Sequence, residues 1–136
     1  REAIDMTAKA YSVAAELDPT RSVEVAEGMR ASGDRNLVRT VLQNLIGNAF
    51  KFSPVDSVVT VGQTDDVFWV RDRGIGFDMA YAPKIFLPFE RLVTEGEFEG
   101  TGIGLANVER IVKRHNGRVW AESEPGHGAT FYFTLG

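Results

Sequence analysis

Apolar side chains at Leu37, Val38, Val41, Leu42, Leu45, Ile46 and Ala49 recur with a period near that of the α-helix and mark the clearest helix in the chain. Asp34 is placed to cap its first turn, and Ser53-Pro54 ends it. Helical spacing through Ile4, Ala8, Tyr11 and Ala15 predicts another helix over residues 2–17, stopped by Pro19. A third is predicted over 105–115, closed by Asn116-Gly117. Alternating polar and apolar positions predict short strands at 21–26 and, after the Glu27-Gly28 turn, at 29–31. Residues 58–62 and 67–70 read as a hairpin about Thr64-Asp65-Asp66, and 118–122 and 129–135 as a last strand pair about Pro125-Gly126.

Between 71 and 104 the regular pattern fails, and Gly74, Gly76, Gly96, Gly100, Gly102 and Gly104 punctuate the stretch. A loop of that length inside a compact domain, with at most a short helix near 82–86, is the signature of a functional lid. Helix, short strands, helix, strand pair, lid, helix, strand pair is the order of an α+β two-layer fold. The expected architecture is a mixed, mostly antiparallel sheet covered by helices on one face.

The chain has 136 residues, one domain's worth, with 43% hydrophobic and 25% charged residues, enough to build a core. A net charge of −4 argues against a broad nucleic-acid surface. With no cysteine there is no disulfide and no thiolate zinc site, which fits the cytosol. No apolar run approaches the roughly 20 residues of a membrane span, and no signal peptide is visible. The chain starts at Arg1 inside the predicted first helix and reads as a fragment of a longer protein.

Three segments carry candidate chemistry. Asn44 and Asn48 are four residues apart and share one helix ridge, with Lys51 and Phe52 following. Stacked amide oxygens can ligate a hard cation such as Mg²⁺; the same pair can equally serve as helix-interior asparagines bonded to neighbouring loops. Asp72-Arg73-Gly74-Ile75-Gly76 follows a predicted strand, where a carboxylate can accept from an adenine amine and the glycines let the backbone approach the base closely; Asp before Gly is also common in ordinary turns. Gly100-Thr101-Gly102-Ile103-Gly104-Leu105 opens a helix and can cradle an anion with backbone N–H groups. It is neither a P-loop nor a dinucleotide fingerprint, and the alternative to an anion cradle is a flexible loop with a helix start. Between the last two, Phe86 and Phe89 flank Pro88 and can anchor a lid or form a small satellite core; Arg91 can reach a terminal phosphate.

In order and spacing these segments resemble the boxes of the histidine kinase catalytic domain: NLxxNAxKFS at 44–53, DxGxGF at 72–77, IFxPFxRL at 85–92 and GTGIGLA at 100–106. The resemblance covers nearly the whole chain and looks closest to the phytochrome-like and PAS-linked kinases. It implies the Bergerat ATP-binding fold shared with DNA gyrase, the heat-shock ATPase chaperone and mismatch-repair ATPases. It further implies Asn48 as the main Mg²⁺ ligand with Asn44 assisting, and Lys51 and Arg91 on phosphates. Phe52 would lie against adenine, Asp72 would bind its exocyclic amine, and Thr130 would support Asp72 through a water. ATP phosphates would meet the second glycine box from Gly100 to Leu105, under a lid over 77–101. The chain departs from the pattern at Arg73, where Asn is usual, and at Val93, where many relatives carry His.

The hydrolysing relatives place a Glu one turn before the ligand Asn; here that position is Asn44, which has no useful basicity. Phosphoryl transfer to a histidine therefore fits better than hydrolysis, with a same-fold ATPase or a nucleotide-binding regulatory module as the alternatives. His115, at a helix C-terminus where a partly positive ring suits the dipole, and His127, in a strand turn, read as structural. The substrate histidine is expected on an upstream dimerisation domain of the same protein. The expected downstream partner is a response regulator, and the expected setting is cytoplasmic, with no direct membrane contact and no nucleic acid.

Overall fold

The computed structural model describes residues 2–81, 86 and 103–136. Strand β1 (Glu2–Asp5) leads into helix α1 (Met6–Leu17), then β2 (Ser22–Val25), β3 (Arg30–Gly33) and the long helix α2 (Arg35–Phe52). Strands β4 (Val58–Thr64) and β5 (Val67–Asp72) follow, then a 3₁₀ turn at Met79–Tyr81, helix α3 (Ile103–Arg114), β6 (Val119–Ser123) and β7 (Ala129–Phe133). The main sheet has the order β2-β4-β5-β7-β6, parallel only between β2 and β4. This is the expected α+β arrangement.

Pairing register sorts the sheet into two faces. Phe68, Val70 and Asp72 stand opposite Phe133, Phe131 and Ala129, and the first two rows continue into Val119 and Ala121 of β6. This face carries the core: Val59, Val61, Val70 and Phe133 are buried against Val38, Val41, Leu45 and Ile46 of α2 and Val108 and Val112 of α3. The other face carries Trp69, Tyr132 and Trp120 in one cross-strand row. Trp120 and Tyr132 stack at 5.4 Å, and Arg71 and Arg118 lie over Trp69 and Trp120.

Residues 2–5 are a correction to the predicted helix. Asp5 caps α1 by accepting from the N–H of Ala8 at 3.1 Å, and the segment before it is extended and paired with β3. Ile4, whose spacing fits a helix face, is buried from the strand instead. A non-local strand partner, invisible to local periodicity, decides this.

The start of α2 is as expected: the Asp34 carboxylate accepts from the N–H groups of Asn36 and Leu37, both at 3.0 Å. Those bonds hold the Asp34 carboxyl below the usual carboxylate range, the Leu37 N–H foremost. His115 joins this end of α2 to the end of α3. Its Nε2 accepts from the N–H of Asp34 at 3.0 Å, which leaves Nδ1 to donate to the carbonyl of Ile111 at 2.9 Å. The ring is a buried bridge between helix ends, so its placement owes more to these two bonds than to a helix dipole. At the end of α3 the left-handed position falls on Asn116, φ 62°, and the N–H of Gly117 returns to Val112. Among the described residues, no helix is long and apolar enough to cross a membrane.

Candidate functional site

A cleft opens between α2, the strip after β5 and the inner face of β7. Helix α2 contributes Asn48 and Phe52 from its last two turns. Strand β5 ends on Asp72, and the chain then runs past Ile75, Gly76 and Phe77 along one wall. Ala129 and Phe131 of β7 and Leu105 of α3 complete the lining. The result is a largely apolar slot, lined by Phe52, Phe77 and Phe131, with one carboxylate, Asp72, and one amide, Asn48, in its walls.

Asp72 is only 7% exposed. Burial pushes its pKa up from 3.8, and the N–H groups of Gly74 and Ala129 oppose the shift. The Gly74 N–H reaches Oδ1 at 2.8 Å. A carboxylate accepts from several directions, so acceptor capacity remains toward the slot. Gly74 is required by close approach: a Cβ there would lie 1.9 Å from the carbonyl oxygen of Phe52. Gly76 has φ 67°, and a Cβ on it would stand 2.2 Å from the carbonyl oxygen of Glu124.

Asn44 sits one turn before Asn48 but does not line the slot. Its Nδ2 donates to the carbonyl of Thr40 at 2.8 Å, which orients the amide, the oxygen being the atom not used in that bond. Lys51 is exposed at the rim, its ammonium 5.6 Å from the centre of the Phe52 ring. It shares a neighbouring groove with Arg73, on the other side of Phe52 and Ile75. Ile103 and Gly104 form the first turn of α3, directly before Leu105. Arg91, Gly100, Thr101 and Gly102 lie outside the described residues, as does most of the lid expected over 77–101 and of the short helix expected near 82–86. Within that stretch, Phe86 is buried edge-on to Phe131 at 6.2 Å.

Thr130 is a correction. It pairs with Arg71, and its hydroxyl accepts from Arg71 Nε at 3.1 Å, so it belongs to the sheet face turned away from Asp72. The β7 residue opposite Asp72 is Ala129, whose N–H lies at the carboxylate. Ala129, Phe131 and Phe77 were not among the expected site residues. Alternation along β7 separates Ala129 and Phe131 from Thr130 and Tyr132, but only the register with β5 says which pair faces the slot.

Among the described residues, no three His, Cys, Asp or Glu side chains cluster as a metal site. On α2 the oxygen donors are neutral amides, Asn48 in the slot and Asn44 one turn away, and Asp72 is the one carboxylate in the slot lining. That set fits a hard cation which takes most of its ligands from a bound phosphate and from water, and not one held by the protein alone.

The family described as Histidine kinase-, DNA gyrase B-, and HSP90-like ATPase matches residues 33–136. The chain is 42% identical over 118 residues to the Phytochrome-like protein Cph1 of Synechocystis, covering 83% of this chain and 16% of that protein. It is 40% identical over 120 residues to the Methanogenesis regulatory histidine kinase FilI of Methanothrix harundinacea, covering 83% of this chain and 13% of that one. The chain thus spans a small part of the length of these relatives. In structure it is similar to the mycobacterial sensor histidine kinase MprB, with a TM-score of 0.85 over 98% of this chain and 97% of the other; at 24% identity this is a likeness of fold. Full-length ShkA in complex with AMPPNP matches at a TM-score of 0.76 and 28% identity, over 98% of this chain and 30% of that one.

Proposed function

The chain belongs to the histidine kinase-, DNA gyrase B-, and HSP90-like ATPase family, and we propose that it binds Mg-ATP in this cleft and passes the γ-phosphoryl group to a histidine on a separate helical domain. The observation that carries the reading is Asp72, a buried carboxylate closing an apolar slot, with Asn48 alongside and an amide rather than a carboxylate at Asn44. Asp72 accepts from the exocyclic amine of adenine while Phe52, Ile75, Phe77 and Phe131 enclose the ring. Asn48, with Asn44, offers amide oxygens to Mg²⁺, which when bound neutralises charge on the phosphate oxygens. Lys51 and Arg91 are assigned to phosphates, together with the backbone N–H groups of Gly100, Thr101, Gly102, Ile103, Gly104 and Leu105.

An amide at Asn44 cannot take a proton from water, so the site positions the triphosphate and leaves the nucleophile to another group. A neutral imidazole supplies it without a base. His115 is not that group, since it is buried with both ring nitrogens engaged. We assign the acceptor to dimerisation helices of the same protein, with a response regulator downstream, in the cytoplasm. The relative named as a regulatory histidine kinase and the AMPPNP complex of ShkA support this reading.

The test is to add phosphoacceptor helices in trans with γ-labelled ATP. Label on histidine supports the proposal. Release of free phosphate supports a same-fold ATPase, and tight binding without turnover supports a regulatory nucleotide-binding module.

A further inference from the structure

Ile75, Gly76 and Phe77 form a wall of the cleft, yet they belong to no strand or helix. Their position has to come from elsewhere, and the hydrogen bonds lead to the β6–β7 turn. The N–H of Gly126 donates to the carbonyl of Ile75 at 2.6 Å. Ser123, the last residue of β6, accepts from the N–H of Phe77 at 2.8 Å while its hydroxyl donates to the carbonyl of Gly128 at 2.6 Å. The N–H of Ser123 also points at the sulfur of Met79, 3.3 Å away. The turn closes on itself through the N–H of His127 to Glu124.

Register gives Ser123 its significance. It stands opposite Ala129, and Ala129 stands opposite Asp72, so the three form one row across the inner face of the sheet. The serine at one end of the row holds the backbone of Phe77; the carboxylate at the other end closes the slot. Phe77 is 5% exposed and meets Phe131 with ring centres 6.2 Å apart.

We infer that Ser123 is a positioning residue for the nucleotide cleft, its hydroxyl setting the stand-off between the Ile75–Phe77 wall and the row that ends in Asp72. The inference rests on the reading of the cleft as an adenine site. Because the hydroxyl both donates and accepts, a side chain without one releases the Phe77 N–H and the Gly128 carbonyl together.

The experiment compares Ser123→Ala, Ser123→Cys and Ser123→Thr for binding of ATP and of adenosine by calorimetry, with melting temperatures alongside. Thr7→Ala is the stability control, since the Thr7 hydroxyl links the carbonyl of Ala26 and the N–H of Met29 away from the cleft. Ser123→Ala is expected to weaken ATP and adenosine alike, by about five- to tenfold, a part of what the two part-buried hydrogen bonds of its hydroxyl contribute. Ser123→Cys should fall in between, because sulfur is a weak donor and acceptor. Ser123→Thr should restore binding to within about twofold, since it keeps the hydroxyl. Unchanged affinity in both Ser123→Ala and Ser123→Cys overturns the inference. So does an equal loss of affinity in Thr7→Ala, or a failure of Ser123→Thr to rescue. A wild-type chain that binds neither ATP nor adenosine overturns the adenine reading itself, before any variant is compared.

Discussion

The carbonyl oxygen of Phe52 accepts the N–H of Ile75 at 3.2 Å, so the last turn of α2 and the segment 72–77 are joined backbone to backbone. The end of the helix bearing Asn48 and the strip after Asp72 are therefore in direct backbone contact. Any side chain between them has to part them.

Gly74 and Gly47 test this from opposite directions. Gly74→Ala puts a Cβ 1.9 Å from the Phe52 oxygen, which has no room to retreat without unwinding the helix end. It should cost about 1–3 kcal/mol of stability and weaken nucleotide binding at least tenfold, read by thermal melts and titration. At Gly47, inside α2, an added Cβ meets only Leu17 at 3.9 Å, an ordinary contact. Gly47→Ala should raise stability by about 0.5–1 kcal/mol. Equal behaviour of the two variants would remove the case for a backbone-to-backbone joint.

Asp72→Asn should separate binding from stability. The substitution turns half of a buried acceptor into a donor, so affinity for ATP and adenosine should fall about 10- to 100-fold. Burial raises the Asp72 pKa, so the folded chain holds this proton more tightly than the unfolded chain does. Its ionised form is therefore a stability cost that is absent below pH 3.8, grows as pH rises through the folded pKa and is constant above it. Asp72→Asn should melt no lower than wild type at neutral pH, and any advantage should shrink as the pH approaches 3.8. A variant that binds normally would dismantle the assigned pocket.

Asp34 behaves in the opposite sense. Its carboxyl is lowered by the N–H groups it caps, so its contribution is full above pH 3.8 and is lost as pH falls through the lower folded value. Asp34→Ala should lower the melting temperature at neutral pH and leave nucleotide affinity unchanged, while Asp34→Ser, which still caps, should recover most of the loss. The gap between wild type and Asp34→Ala should close in strong acid. Denaturation profiles against pH decide this.

What could be read in the sequence follows from how local each signal is. Helix α2 was legible because its cap, its apolar stripe and its stop all lie within one segment. Asp72 was legible as a residue at a strand end, but the glycines after it were read as making room for a bound base, and the close approaches they make in the structure are to the carbonyls of Phe52 and Glu124, which no local signal announces. Thr130 was misplaced because one residue's shift in register exchanges the two faces of a strand, and register between β5 and β7 joins residues 59 apart. For the same reason Ala129 and Phe131 were missed, and Ile4 was taken for a helical residue although its strand pairs with β3. Ser123 carries no local signal at all: its partners, Phe77 and Gly128, come together only when the sheet does.

Arg21 gives the last test, from a residue far from the cleft in sequence. Its guanidinium closes the C-terminus of α2, donating to the carbonyl of Phe50 at 2.6 Å, the hydroxyl of Ser53 at 2.9 Å and the carbonyl of Pro54 at 3.0 Å. The same group lies 4.8 Å from the centre of the Phe50 ring. Carbonyls at a helix end lack partners within the helix, and a cation there also suits the dipole. Arg21→Ala should cost about 2–3 kcal/mol, because the bonds are charge-assisted and the acceptors are partly buried. Arg21→Lys should recover less than half, since a single ammonium cannot span three acceptors as a planar fork does. Lys51 and Phe52 sit in the turn being held, so nucleotide affinity should fall with stability and in the same order, wild type above Arg21→Lys above Arg21→Ala. Thermal melts and titrations on the three proteins check both orders; stability lost with affinity intact would mean that the helix end is fixed by the Phe52–Ile75 joint alone.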